Sequence, residues 1–213
     1  RGRGYSFRVG RETNVADTKI EWAKKTWNPI TGCTKISEAC EHCYAERMSK
    51  RLAGRCGYDK DDPFTVTYHR DKMSDPLKWK KPSRIFVCSM SDLFHPDVPD
   101  KFIDDIMTVI AKCTHHTFLI LTKRPQRMAR YIDEWLTGTL LPGMHGPILE
   151  NLWLGVTAES QQRADERIPI LLQIPAAVRF VSIEPCLSDI NLSPYLWDYY
   201  DQGSRRPLNK LHQ

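Results

Sequence analysis

Short, continuous apolar runs alternate with helix-periodic stretches along the middle of the chain, and each run ends in a polar cluster. Arg84-Ile-Phe-Val-Cys88 leads into Ser89-Met-Ser-Asp92, and Phe118-Leu-Ile-Leu121 into Thr122-Lys-Arg124. Leu152-Trp-Leu-Gly-Val156 leads into Thr157-Ala-Glu159, and Val178-Arg-Phe-Val181 into Ser182-Ile-Glu-Pro185. Runs of this length without polar alternation predict strands buried on both faces, as in a parallel sheet covered by helices. Residues 100–113 place Phe102, Ile103, Ile106, Met107 and Ile110 at three- and four-residue intervals, which predicts an amphipathic helix that Asp97 or Asp100 can cap. Further helices are predicted over 41–53, closed by Gly54, over 125–137, and over 160–173 with a disturbance at Pro169. Strand-helix alternation in one chain of 213 residues is the signature of an α/β fold. In open sheets and barrels alike, ligands sit at the carboxyl ends of parallel strands, where the polar clusters fall.

Composition changes this picture little. The chain is long enough to bury about 70% of its unfolded surface. Its 41% hydrophobic and 27% charged residues are those of a globular protein rather than a disordered one. Part of the net charge of +5 comes from Arg1, Arg3, Arg8 and Arg11, so residues 1–16 read as a flexible basic arm. Seven cysteines without an apolar leader point to a reducing cytoplasm, and no segment has the roughly 18 to 20 apolar residues of a membrane span. Residues 193–213 show no strand followed by helix and read as an irregular tail.

Cys33, Cys40 and Cys43 crowd into eleven residues, spaced C-x6-C-x2-C, with Tyr44 directly after and a helix beyond. Three thiolates are one ligand short of a closed structural zinc site, while an iron-sulfur cluster on three cysteines leaves one iron open. A helix start also favours the thiolate form. Three readings stand side by side: buried free thiols, zinc completed by a histidine such as His42 or His69, and an iron-sulfur cluster. Cys88 and Cys113, in apolar surroundings, read as core; Cys56 and Cys186 lie near turns.

Further blocks join the cysteines in order: Thr18-Lys-Ile-Glu-Trp22, Thr26-Trp-Asn-Pro29, Gly32-Cys33, Cys43-Tyr-Ala45, Phe86-Val-Cys-Ser-Met-Ser-Asp-Leu-Phe-His-Pro96, Leu121-Thr-Lys-Arg-Pro125 and Ser182-Ile-Glu-Pro185. Over residues 17–192 the chain resembles the uncharacterised phage-associated three-cysteine proteins, a family similar to radical S-adenosylmethionine (SAM) enzymes. The resemblance implies a TIM-like partial (β/α) barrel over 17–192, incomplete at its C-terminal end, since the further strand and loop usual after the Ser-Ile-Glu-Pro block do not occur. It implies a [4Fe-4S] cluster on Cys33, Cys40 and Cys43, SAM as co-substrate, a 5'-deoxyadenosyl radical, and a reductant protein as electron donor. Tyr44 would pack near the adenine. Ser89, Ser91 and Asp92 would bond ribose or methionine polar atoms, Lys123 or Arg124 would pair a carboxylate or phosphate, and Glu159 and Glu184 would take the ammonium group or the substrate. His95 is a candidate proton donor or fourth ligand, and Asn28 a residue that orients the cluster loop. A nucleic acid or nucleotide is the expected substrate. The alternative is a non-enzymatic zinc or iron-sulfur protein acting on nucleic acid or a host partner.

Overall fold

The computed structural model describes Thr18, residues 20–138 and 146–197, and the backbone of Leu211–His212. The readings of residues 1–16 as an arm and of most of the tail fall outside these residues.

Four long strands form where the apolar runs predict them: β4 (Arg84–Val87), β5 (Thr117–Thr122), β6 (Leu152–Thr157) and β7 (Val178–Ser182). Three short strands precede them, β1 (Lys25–Trp27), β2 (Ile30–Thr31) and β3 (Thr67–Tyr68). β1, β4, β5, β6 and β7 lie side by side in that order, all parallel. The two-residue β8 (Leu211–His212) pairs with β7 in the same direction, while β2 and β3 form a separate antiparallel pair. Three helices make the crossovers: α3 (Asp100–Lys112), α4 (Pro125–Thr137) and α5 (Gln161–Gln173). α1 (Tyr44–Leu52) and the four-residue α2 (Asp75–Lys78) precede this unit, and α6 (Ser193–Trp197) follows it. The fold is therefore α/β, a parallel sheet flanked by helices. α6 occupies the first five residues of the segment read as an irregular tail.

Register divides the sheet into two chemically distinct faces. Ile85, Phe118 and Leu152 align in one row and Val87, Ile120 and Leu154 in the next. These side chains are buried with Ile103, Ile106 and Ile110 of α3, Met128 and Tyr131 of α4, and Ile168 and Leu171 of α5. Each such aliphatic side chain, withdrawn fully from water, contributes roughly 1.5–3 kcal/mol. The alternate row, Phe86, Leu119, Trp153 and Val178, points away from this core.

Local chemistry marks both ends of α4 and the start of α5 but not the start of α3. α4 opens on Pro125 and closes on Gly138 in the left-handed conformation, and the Ser160 hydroxyl accepts from the Arg163 amide at 3.4 Å to cap α5, which runs on through Pro169. α3 has Pro99 before it and no side-chain cap. Asp100 instead pairs with Arg127 at 2.8 Å and Arg130 at 3.1 Å, and Asp97 caps nothing. Charge partners on α4 have taken the carboxylate that spacing alone assigned to the helix end.

Candidate functional site

The cysteine loop lies across the carboxyl edge of the sheet. The predicted helix over 41–53 begins only at Tyr44; Cys40 sits in a preceding 3-10 turn, Glu38–His42, and Cys43 is the residue just before α1. The Cys40 amide donates to the Ser37 carbonyl at 3.0 Å and the Cys43 amide to the Cys40 carbonyl at 3.3 Å. Gly32 opens the loop at φ +87°, where a Cβ would stand 2.0 Å from the Thr65 carbonyl oxygen. Only glycine fits there. Its amide donates to the Met90 carbonyl at 2.9 Å, and the Cys33 amide to the Phe64 carbonyl at 3.1 Å. Asn28 supports this start, its side-chain oxygen accepting from the Ser89 hydroxyl at 3.1 Å and the Met90 amide at 3.2 Å. Cys88, in the left-handed region at φ 58°, turns the chain out of β4 toward these contacts.

Two charged anchors hold the loop. At its start, Asp92 accepts from the Thr122 hydroxyl (2.7 Å), the Phe94 amide (3.0 Å), the Lys123 amide (3.2 Å) and Arg124 Nη1 (2.9 Å). Thus fixed, Arg124 donates to the Thr34 carbonyl at 3.0 Å, the Thr34 hydroxyl at 3.1 Å and Cys33 Sγ at 3.5 Å. His95 is buried and bonds the Thr34 hydroxyl through Nε2 at 2.7 Å, while its Nδ1 accepts from the Asp97 amide at 3.2 Å. An accepting Nδ1 places the proton on Nε2, so His95 is a neutral donor to Thr34. Burial, then the Arg124 charge, hold its pKa below the ordinary histidine value.

The far anchor is a half-buried serine on a buried ion pair. Ser37 donates its hydroxyl to Glu159 Oε1, and Arg167 donates to Oε2 at 2.8 Å and Oε1 at 3.4 Å. Glu159 is 0% exposed. On the surface beside it, Arg163 grips Glu38 through two bonds, at 2.8 and 3.1 Å. That grip, with help from the Glu38 backbone, lowers the Glu38 pKa to about 2 from its ordinary 4.5. A depressed carboxylate adds stability above its unfolded value and loses it as pH falls through the folded one. The excess thermal stability of the native chain over Glu38→Gln is therefore expected at neutral pH, shrinking below pH 4.5 and gone by about pH 2. A pH series of melting midpoints checks this; a difference that is flat down to pH 2 contradicts it.

All seven cysteines are free, with the three loop thiols half-buried and Cys88 and Cys113 in the core. Burial, then the Asp92 carboxylate, pushes the Cys33 thiol up, against the opposing pull of Arg124. Cys33 donates to the Thr34 carbonyl at 3.5 Å. Because the Ser37 hydroxyl proton goes to Glu159, the 3.8 Å contact between Ser37 Oγ and Cys40 Sγ has the thiol as donor. Among the described residues, no three Cys, His, Asp or Glu side chains are gathered as a bound metal gathers them. His69 bonds Thr31 at 2.8 Å, and His42 is exposed in the 3-10 turn.

The remaining candidates separate by whether their polar atoms are occupied. Ser89 is taken by Asn28, Ser91 by the Ile30 carbonyl at 3.2 Å, and Asp92 and Glu159 by the anchors. Lys123 and the exposed Glu184 enter no ion pair among the described residues, and Tyr44 is 62% exposed, so it is no core residue. Ser37, Glu38, Arg163 and Arg167 were not singled out from sequence. Their signal was faint: two polar residues inside the loop, and two arginines at a four-residue interval after Glu159.

Fold and loop together define an α/β protein whose parallel sheet carries a tethered three-thiol loop on its carboxyl edge. The chain belongs to a family of proteins of unknown function, DUF5131, whose model matches residues 17–199. No match was found among curated proteins or among solved structures. Among the described residues no helix is long and apolar enough to cross a membrane.

Proposed function

We propose that this chain is a radical-SAM-like iron-sulfur enzyme whose sheet is part of a TIM-like (β/α) barrel, acting on a nucleic-acid-derived substrate in a reducing cytoplasm. Cys33, Cys40 and Cys43 would hold a [4Fe-4S] cluster, and the chemistry it would supply is transfer of one electron, from a reductant protein, for cleavage of SAM to methionine and a 5'-deoxyadenosyl radical. The observation that carries the reading is the pair of anchors fixing one loop of three free thiols at the edge where parallel sheets bind ligands.

The donor set fits on its chemistry. Thiolates are the soft ligands iron-sulfur clusters use, and all three are half-buried, neither oxidised to disulfides nor lost in the core. Arg124 places a guanidinium 3.5 Å from Cys33 Sγ, a counter-charge for an anionic cluster. The residues around the loop have distinct tasks. Asp92 orients Arg124, and Arg167 and Glu159 hold Ser37, so that the loop is positioned from both sides. Tyr44 offers an exposed ring face next to Cys43, and Lys123 a cation for a carboxylate, with no ion pair among the described residues. Glu159, committed to Arg167 and Ser37, acts as a positioning residue and not as the partner of an ammonium group.

Protein purified without oxygen and given dithionite and SAM is expected to release 5'-deoxyadenosine, and Cys40→Ala to release none. Release at the same rate by Cys40→Ala overturns the reading. The alternative, a non-enzymatic metal protein, predicts bound metal with no 5'-deoxyadenosine from either chain.

A further inference from the structure

The face of the sheet turned away from the helices carries a hollow of about 230 Å³ that none of the anchors uses. Its walls are Trp22, Leu119, Trp153 and Phe180. Trp22 packs over Phe86 with ring centroids 4.7 Å apart and stands 6.2 Å from Phe180. Gly155 makes room for Phe180, since a Cβ there would lie 2.5 Å from that ring. Charges mark the two ends. Arg84 is the first residue of β4, and Glu184 lies two residues beyond β7; neither makes an ion pair among the described residues. The Glu184 end opens at the cysteine loop's edge, where the Leu187 amide donates to the Glu159 carbonyl at 2.8 Å.

Ring faces beside a guanidinium and a carboxylate that pair with nothing among the described residues specify their complement. An aliphatic ligand leaves the π surfaces idle, and an apolar aromatic one leaves both charges unmet. A flat heteroaromatic ring with amino or imino donors on one edge and an anionic group at the other side satisfies all three. The volume is below the roughly 300 to 1,000 Å³ of drug-sized pockets, which suits one base and not a stacked strand. We propose that this hollow is the substrate pocket and takes a single nucleoside monophosphate, its base stacked on the Phe180 ring, its ring-edge donors on Glu184 and its phosphate on Arg84. The assignment rests on the proposed enzyme only in making the ligand a substrate; the binding itself needs no cluster.

Titration of the full chain with AMP, GMP, CMP and UMP, followed by tryptophan fluorescence, tests the site. At least one monophosphate should quench saturably, and its nucleoside should bind more weakly. Arg84→Ala should bring the monophosphate down to the affinity of its nucleoside. Base stacking is worth about 1–3 kcal/mol by alanine substitution, so Phe180→Ala should weaken binding at least about fivefold. Gly155→Ala, which pushes Phe180 into the hollow and removes no ring, should weaken it as well, with a melt confirming that each variant is folded. No saturable binding by any of the four, or binding unchanged in folded Arg84→Ala and Gly155→Ala, overturns the assignment. So does competitive displacement by SAM, which would make the hollow the cofactor's own. Nucleotide binding by a protein that takes up no iron would sink the enzyme reading alone, and iron uptake without nucleotide binding would sink this one alone.

Discussion

Arg167→Met is expected to destabilise the protein by about 3–5 kcal/mol, because it strands the fully buried Glu159 carboxylate without its counter-charge. The cost is large because both Glu159 oxygens face Arg167, and water cannot replace the guanidinium at a group with no exposure. Methionine keeps most of the side-chain volume, so lost packing is a minor part of the effect. The double variant Glu159→Leu/Arg167→Met should recover a good part of this loss, since no unpaired charge stays behind. It should still loosen the cysteine loop, because Ser37 loses its acceptor. Urea denaturation of the two single variants and the double variant reads both effects. A single variant within about 1 kcal/mol of the native protein would show that the ion pair is not the anchor described above.

Asp92→Ala is expected to cost a similar amount, about 3–5 kcal/mol, by a different route. Removing one carboxylate takes the acceptor from the Thr122 hydroxyl and two backbone amides and the counter-charge from the Arg124 guanidinium, all at the carboxyl edge of the sheet. Hydrogen bonds to a charged acceptor are worth about 1.5–3 kcal/mol each in isolation, but four bonds on one group do not add. Asp92→Asn should cost less, since the amide oxygen still accepts part of the set while the charge opposite Arg124 is gone. Arg124 holds Thr34 and lies against Cys33, so both variants should also raise protease sensitivity around residues 33–43. Cleavage mapping tests this link. Unchanged protection of the loop in a destabilised Asp92→Ala would separate Asp92 from the loop.

The four long strands were legible in the sequence because a run such as Phe118-Leu-Ile-Leu121 has only one comfortable place in an α/β fold. The stripe on α3 was equally plain. β1 was not, since Lys25-Thr-Trp27 has no apolar run and becomes a strand only by pairing with Ile85-Phe-Val87. The crowding of Cys33, Cys40 and Cys43 could be read directly, but what holds their loop could not. Ser37 and Glu159 are separated by 122 residues, and Cys33 and Arg124 by 91. A sequence displays a charge and conceals its partner. Asp92, Glu159, Ser89 and Ser91 stand in the sequence as candidate ligand-binding groups, and folding gives each of them a partner within the chain. The aromatic hollow stayed hidden for a related reason: within a continuous apolar run, nothing says that Trp153 and Phe180 turn to the face without helices.

The iron content of protein purified without oxygen tests the central claim most directly, measured for the native chain and for Cys40→Ala. The account predicts a brown protein with about four irons per chain, and loss of that iron in the variant. A colourless protein with about one zinc, or iron fully retained in Cys40→Ala, would contradict it.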